Sequence, residues 1–285
     1  MHERSLSPRA RTERRVRGLW THVQPVFLLP GAAMSVFGAG LAAAFALGPA
    51  AVHAFAVCLA VYVAHLKDGY VDYYVRGEDE TNPLEPAEIR TAMGVSAAVF
   101  GLCLLALWFV SGPIAVALTA PLLAFGYFHA PQLDTHPVTG TADYPIGIAL
   151  ATAGGYAAQT GTVGATIVAV CLVFGFLLAA INVMLDRTDY DHDRRVPKRT
   201  LPVALGPARA LRVAWTLVSI SLGLLVFSSA IGVLPSSAVL AGVVPAAVSI
   251  GSLVRPPDPE RLVGLFIGAT YLFGAILFLS IRIVG

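Results

Sequence analysis

Four aspartates, Asp186, Asp189, Asp191 and Asp193, follow a long apolar run in this chain, and Arg194, Arg195, Lys198 and Arg199 come directly after them. If the apolar helix continues past the run, Asp186, Asp189 and Asp193 fall at i, i+3 and i+7 and share one face, with Asp191 turned elsewhere. Carboxylates stacked in this way repel each other unless a cation sits among them. Hard oxygen donors that leave room for phosphate oxygens suit Mg2+, which keeps several waters and is held by a few carboxylates together with substrate phosphate. The basic residues alongside could contact the same phosphates, arginine by its two-pronged geometry. Taken alone, the stretch reads equally well as a solvated, charged loop between two membrane helices.

A second acidic group weighs against that alternative. Another apolar segment ends in His65-Leu-Lys-Asp-Gly-Tyr-Val-Asp-Tyr-Tyr-Val-Arg-Gly-Glu-Asp-Glu, where Asp68 and Asp72 form an i, i+4 pair. Grouping the first eight expected helices as two sets of four puts one acidic cluster after the second helix of each set, as a pseudo-repeat facing one cavity would.

Hydrophobic residues make up 56% of the 285 and charged ones only 13%, with a mean hydropathy of +0.74. Soluble domains carry about a quarter charged residues, so the composition is that of a membrane protein. Cys58, Cys103 and Cys171 each lie inside an apolar run without a partner at metal or redox spacing, and read as small buried apolar residues.

Residues 1–18, rich in arginine, read as a basic cytoplasmic arm, and residues 19–285 as one membrane domain. The first span is expected from about Trp20 to Leu47, bent near Pro25 and Pro30. Further apolar segments at 50–67, 92–111, 113–128, 144–160, 163–185, 209–230, 236–254 and 262–283 bring the expectation to nine transmembrane helices. With the N-terminus inside, loops 68–91, 129–143, 186–208 and 255–261 fall on the cytoplasmic side. Every Asp and Glu, and every Lys and Arg except Arg282, lies there. Topology does not require acids at that side, so they point to function. His129, Asp134, His136 and Asp143 match no common metal spacing and read as a satisfied polar loop, His192 is ambiguous between ligand and loop residue, and 255–261 reads as a rigid turn.

With these features in place, the chain resembles the UbiA superfamily of intramembrane prenyltransferases over nearly its whole length. Asp189-x-x-x-Asp193 followed by Lys198-Arg199-Thr200-Leu201-Pro202 and Leu205-Gly206 is similar to that family's second aspartate motif and its Gly-Lys-Arg-Thr-Leu continuation, with Pro197 at the glycine. The first stretch is similar to the family's Asn-Asp-x-x-Asp in its menaquinone-branch form. Aligned on Tyr70, Asp72 and Tyr73, Asp68 stands at the family's Asn and Gly69 at its first Asp; Arg76 falls at the third aspartate, leaving Glu78 or Asp79 to serve. Tyr127 resembles the Tyr of the family's Tyr-x-x-x-Lys, with Pro131 at the Lys.

The resemblance implies an all-α bundle around a central cavity, capped on the cytoplasmic side by the motif-bearing loops. It implies Mg2+ held by Asp68, Asp72, Asp186, Asp189 and Asp193, of which Asp68, Asp72, Asp189 and Asp193 are the catalytic set. Arg76, Lys198 and Arg199 are the expected diphosphate contacts, and Tyr70 and Tyr127 the expected cavity residues. The implied activity is ionisation of a prenyl diphosphate and transfer of the prenyl group to an aromatic or other lipophilic acceptor, with membrane lipid around it and no nucleic-acid partner. A cyclase acting on the diphosphate alone uses the same site, and Tyr62, Tyr70, Tyr73, Tyr74, Phe125, Tyr127, Phe128, Tyr144 and Tyr156 are compatible with stabilising its cations. A transporter would place ionisable groups near the bilayer midplane, and no Asp, Glu, Lys or Arg lies mid-span. The topology predicts that cysteines introduced at Thr81 and Ala208, in a background lacking the native three, are labelled by an impermeant thiol reagent from one side of the membrane; labelling from opposite sides would separate the two acidic stretches.

Overall fold

The computed structural model describes residues 7–284, and these contain helices and turns without strands. In order, the helices are α1 (Pro8–Thr21), α2 (Pro25–Gly40), α3 (Leu47–Tyr70), α4 (Pro86–Ser111), α5 (Pro113–Phe128), α6 (Pro137–Thr160), α7 (Ala165–Asp186), α8 (Tyr190–Asp193), α9 (Leu201–Leu205), α10 (Pro207–Ala230), α11 (Val239–Val254) and α12 (Pro259–Leu279). Proline opens α1, α2, α4, α5, α6, α10 and α12, where its missing N–H costs nothing and its fixed φ suits the first turn.

Residues 8–18 of the expected arm are helical, as part of α1, and docked. Arg14 donates to Pro83 O at 2.5 Å and to Glu88 at 2.8 Å, and Arg15 also donates to Glu88. This ties α1 to the start of α4. The expected bend falls at the break between α1 and α2, which meet at 54°, while Pro30 stays inside α2.

Seven helices among the described residues are long and apolar enough to cross a membrane, eight if the bent α1–α2 pair is one span. The expected count of nine included α6. Its 24 residues reach ~36 Å, enough to cross. Its composition is more polar because it is an interior helix: Thr152, Ala153, Gly154, Gly155, Ala157 and Ala158 are buried against its neighbours, so little of it needs to match lipid. The connection expected at 68–91 is also shorter than the sequence suggested. Helical structure continues through Arg76 and resumes at Pro86.

Two apolar layers hold the bundle. One centres on α7, where Val170, Val173, Phe174, Leu177 and Met184 pack with Ala210, Ala214 and Val218 of α10 and Phe266 and Phe273 of α12. The other joins Ala56, Val57 and Ala60 of α3 to Phe100, Leu122 and Ala151 of α4, α5 and α6. Between the layers, α2 meets α6 backbone to backbone. A Cβ on Gly38 would lie 1.9 Å from Thr152 O, and one on Gly155 2.0 Å from Ser35 O. Small residues allow this approach, and dispersion along the seam drives it where lipid offers no hydrophobic gain.

The expected end of the chain opposite the acidic loops, Gly285, lies outside the described residues. Gly155→Val should lower stability by roughly 1–3 kcal/mol, measured by thermal unfolding in detergent. Gly223→Ala on α10, where no atom lies within 4 Å of the added carbon, should be neutral. Equal midpoints for the two variants would mean that α2 and α6 do not touch as described.

Candidate active site

The first acidic stretch is set by a change of helix type. The α-helical α3 runs through Tyr70 and then widens into π-helical turns over Val71–Arg76, so Asp68 and Asp72 straddle the change instead of forming a plain α-helical i, i+4 pair. Such widened turns recur at functional sites because they re-aim side chains. Gly77, with φ of 67°, ends the segment, and Glu78 N–H returns to Asp72 O at 2.8 Å. The turn points Glu78 back under the bundle, where its side chain is 7% exposed.

Arg76 occupies the middle of this group with a side chain only 2% exposed. Its Nη1 lies 3.3 Å from Asp72 Oδ1 and 2.7 Å from Asp134 Oδ2. Nη2 donates to Asp134 Oδ1 at 2.8 Å, and Nε is 3.6 Å from Glu78 Oε1. The expected diphosphate contact is therefore engaged by three carboxylates of the protein itself.

The second stretch departs from the expected continuous helix. α7 stops at Asp186, residues 187–189 turn, and the short α8 carries Asp193. Asp186 nevertheless lies within electrostatic reach of Asp193 and Asp189. The turn thus keeps the grouping that one helical face would have produced. Asp191 points out, with a side chain 74% exposed, 3.3 Å from Arg194 Nε. Asp193 is 5% exposed. Burial pushes its carboxyl pKa above the usual range, against the opposing pull of Lys198.

Glu78 and Lys198 join the two stretches. Lys198 Nζ is 3.3 Å from Glu78 Oε2, and His192 Nε2 is 3.6 Å from the same oxygen. Burial disfavours the Lys198 ammonium, yet Asp72, Glu78 and Asp68 outweigh it and hold the pKa above its ordinary value, so Lys198 is charged at neutral pH. Its field also reaches Asp186 and Asp193. Lys198 is thus a cation shared by both acidic groups, and Arg199 next to it is exposed. Tyr127 carries Lys67 Nζ 4.8 Å from its ring centroid, and Tyr70 packs on Tyr74 with ring centroids 5.4 Å apart.

The 129–143 segment is satisfied as expected, but it is not a loop throughout. α6 begins at Pro137, and His136 Nδ1 accepts from Val138 N–H. Asp143, 6% exposed, meets His129 Nδ1 at 2.5 Å. Asn182 on α7 donates to Gly140 O at 2.9 Å. Sequence reasoning missed Asp134 as a partner of Arg76, since a pairing across 58 positions leaves no local pattern. Among the described residues, no three His, Cys, Asp or Glu side chains converge as a ready-made metal cage. The donor set is all hard oxygen around a single shared lysine, which suits a Mg2+ ion that completes its shell with water and phosphate.

Residues 83–279 match the pattern of the UbiA prenyltransferase family. The chain belongs to this family. The match starts beyond the altered first acidic stretch and includes the second. Solved structures agree in fold. The digeranylgeranylglyceryl phosphate synthase is similar with a TM-score of 0.76 at 12% identity, covering 94% of this chain and 99% of that one. A UbiA homolog from Archaeoglobus fulgidus bound to GPP and Mg2+ gives 0.66 at 20% identity, covering 95% and 100%. The apo UbiA homolog from Aeropyrum pernix K1 gives 0.63 at 17%, covering 91% and 97%. No curated protein matches significantly by sequence. As a UbiA-family chain with long apolar helices, the protein is an integral membrane protein.

Removing Arg76 should leave the largely enclosed Asp72 and Asp134 carboxylates without their guanidinium, and Glu78 with Lys198 alone. Arg76→Met is expected to cost about 3–5 kcal/mol, and adding Asp134→Asn should recover part of the loss in a double-mutant cycle read by thermal unfolding. Strict additivity of the two changes would mean the pair does not form.

Proposed function

We propose that this protein is a Mg2+-dependent intramembrane prenyltransferase that ionises a prenyl diphosphate and passes the prenyl group to an aromatic or other lipophilic acceptor, releasing diphosphate. The observation that carries this reading is the meeting of both acidic stretches at Lys198 through Glu78. Two acidic groups around one shared cation are a receptor for a polyanion with its counter-cations, and a solvated loop has no reason to bury them. The Archaeoglobus fulgidus homologs bound to GPP or DMAPP with Mg2+ support the substrate class and the ion.

Magnesium, when bound, would screen the carboxylates from the diphosphate and take up charge as the leaving group departs. Asp68 and Asp72 would hold it from one side and Asp186, Asp189 and Asp193 from the other. Lys198 and Arg199 would contact the phosphate oxygens, Lys198 exchanging Glu78 for them. Arg76 has a different role from the one its sequence position suggested: it neutralises Asp72, Asp134 and Glu78 and so positions them. The diphosphate sits at the polar end while the prenyl chain extends among apolar helices, which keep water from the allylic cation. That polar end is proposed to face the cytoplasm with the N-terminus.

A transfer to a second substrate is favoured over cyclisation because two of the rings counted as cation stabilisers serve as braces. Tyr62 Oη donates to Leu19 O at 3.1 Å and Tyr74 Oη to Leu84 O at 2.6 Å.

Purified protein should consume geranylgeranyl diphosphate only with Mg2+ or Mn2+, and full turnover in excess EDTA would remove the metal reading. A hydrocarbon product from the diphosphate alone would identify a cyclase instead. Asn at Asp68, Asp72, Asp189 or Asp193 should lower kcat by roughly 100-fold or more, whereas Asp191→Asn should leave it near wild type. Equal damage at Asp191 and Asp189 in folded protein would contradict the outward placement of Asp191.

A further inference from the structure

A groove of about 560 Å3 lies between α4 and α5, floored by Val63 of α3. Its walls are two stripes at i, i+3, i+4 and i+7: Arg90, Met93, Gly94 and Ala97 on α4, and Ala120, Leu123, Ala124 and Tyr127 on α5. Small residues in facing stripes usually mark helices in close contact. Here they do not, because a Cβ added at Gly94 would meet no atom within 4 Å. α5 instead makes its close contact with α3 one residue away, where a Cβ on Gly126 would lie 2.4 Å from Ala60 O. The small side chains therefore leave open space between α4 and α5.

The floor of this groove turns away from the acidic site, and Tyr127, read from the sequence as a substrate-cavity residue, forms part of its wall. Val63 precedes Asp68 by five positions on the α-helical part of α3, which turns it about 140° away around the axis. From Arg90 to Ala97 the groove follows α4 for ~10 Å, apolar along its length and cationic at one end. Arg90 is exposed and makes no ion pair among the described residues, while Glu88 beside it is taken up by Arg14 and Arg15. Lys67 adds a second cation over the Tyr127 ring at the same end.

We propose that this groove seats an anionic membrane lipid, with one acyl chain along Gly94, Ala97, Ala120 and Ala124 and its phosphate on Arg90. The chain fills the space that the small residues leave, and the headgroup supplies the negative charge that Arg90 lacks. A zwitterionic lipid would fill the groove equally well but bring its own cation to Arg90. The net attraction of a basic residue for anionic headgroups is about 1 kcal/mol, which sets the expected preference at about fivefold.

The test is saturable binding of a fluorescent phosphatidylglycerol to detergent-purified protein, competed by unlabelled phosphatidylglycerol, phosphatidylcholine or soluble glycerol phosphate. Phosphatidylglycerol should compete about fivefold better than phosphatidylcholine, and glycerol phosphate should not compete. Arg90→Gln should lower the headgroup preference, leaving only what Lys67 supplies. Gly94→Phe should abolish saturable binding, while Gly94→Ala, a small change into open space, should retain it and so guard against misfolding. Arg255→Gln, which removes an exposed cation at another loop, should change nothing. Equal competition by the two lipids in wild type, equal loss in the Arg90 and Arg255 variants, or unchanged binding in Gly94→Phe would overturn the proposal. So would competition by geranylgeranyl diphosphate at the same strength, which would make the groove part of the substrate site. Because no turnover is measured, the outcome stands apart from the proposed reaction.

Discussion

A guanidinium that is almost fully removed from solvent must be matched by negative charge, and Arg76 sets the architecture of the polar end through that requirement. Desolvating a charge costs several kcal/mol unless good partners replace water. Arg76 finds them on three segments that are distant in sequence: Asp72 on the extension of α3, Glu78 beyond the Gly77 turn and Asp134 before α6. Glu78 hands the constraint on to Lys198, and the fields of Asp186 and Asp193 meet at the same lysine. The cap over the bundle is therefore one electrostatic unit whose parts hold each other in place.

This arrangement changes the chemical meaning of one position. By resemblance, residue 76 belongs to a carboxylate of the first motif; here it is a cation that consumes carboxylate charge. Glu78, two residues on, lies between the cations Arg76 and Lys198 and is held there by the backbone turn at Gly77. The cap keeps its acidic character at this point through Glu78, which the Gly77 turn brings between the two cations.

Much of this was legible from residue patterns. Long apolar runs marked the helices because the bilayer dictates their length and composition, and the aspartate groups stood out because acids at that density have no topological use. What was not legible involves distance in sequence or backbone irregularity. The break at 187–189 falls within a run whose spacing fits a continuous helix, and Asp186, Asp189 and Asp193 group together by way of a turn instead. The π-helical turns after Tyr70 likewise carry no residue signature, and Asp134 gave no sign of meeting Arg76. Composition does not mark α6 as a crossing helix, although it is long enough to cross, because other protein packs around much of it.

The polar character of α6 also bears on the surroundings it needs. A helix bearing Thr139, Thr141, Asp143, Thr152 and Gln159 gains little by partitioning into lipid on its own. Its seam with α2 and its packing on α7 supply the favourable environment, and α7 follows it after only a short turn at 161–164. α6 therefore depends on α2 and α7, rather than on lipid, for the surroundings that suit its polar side chains.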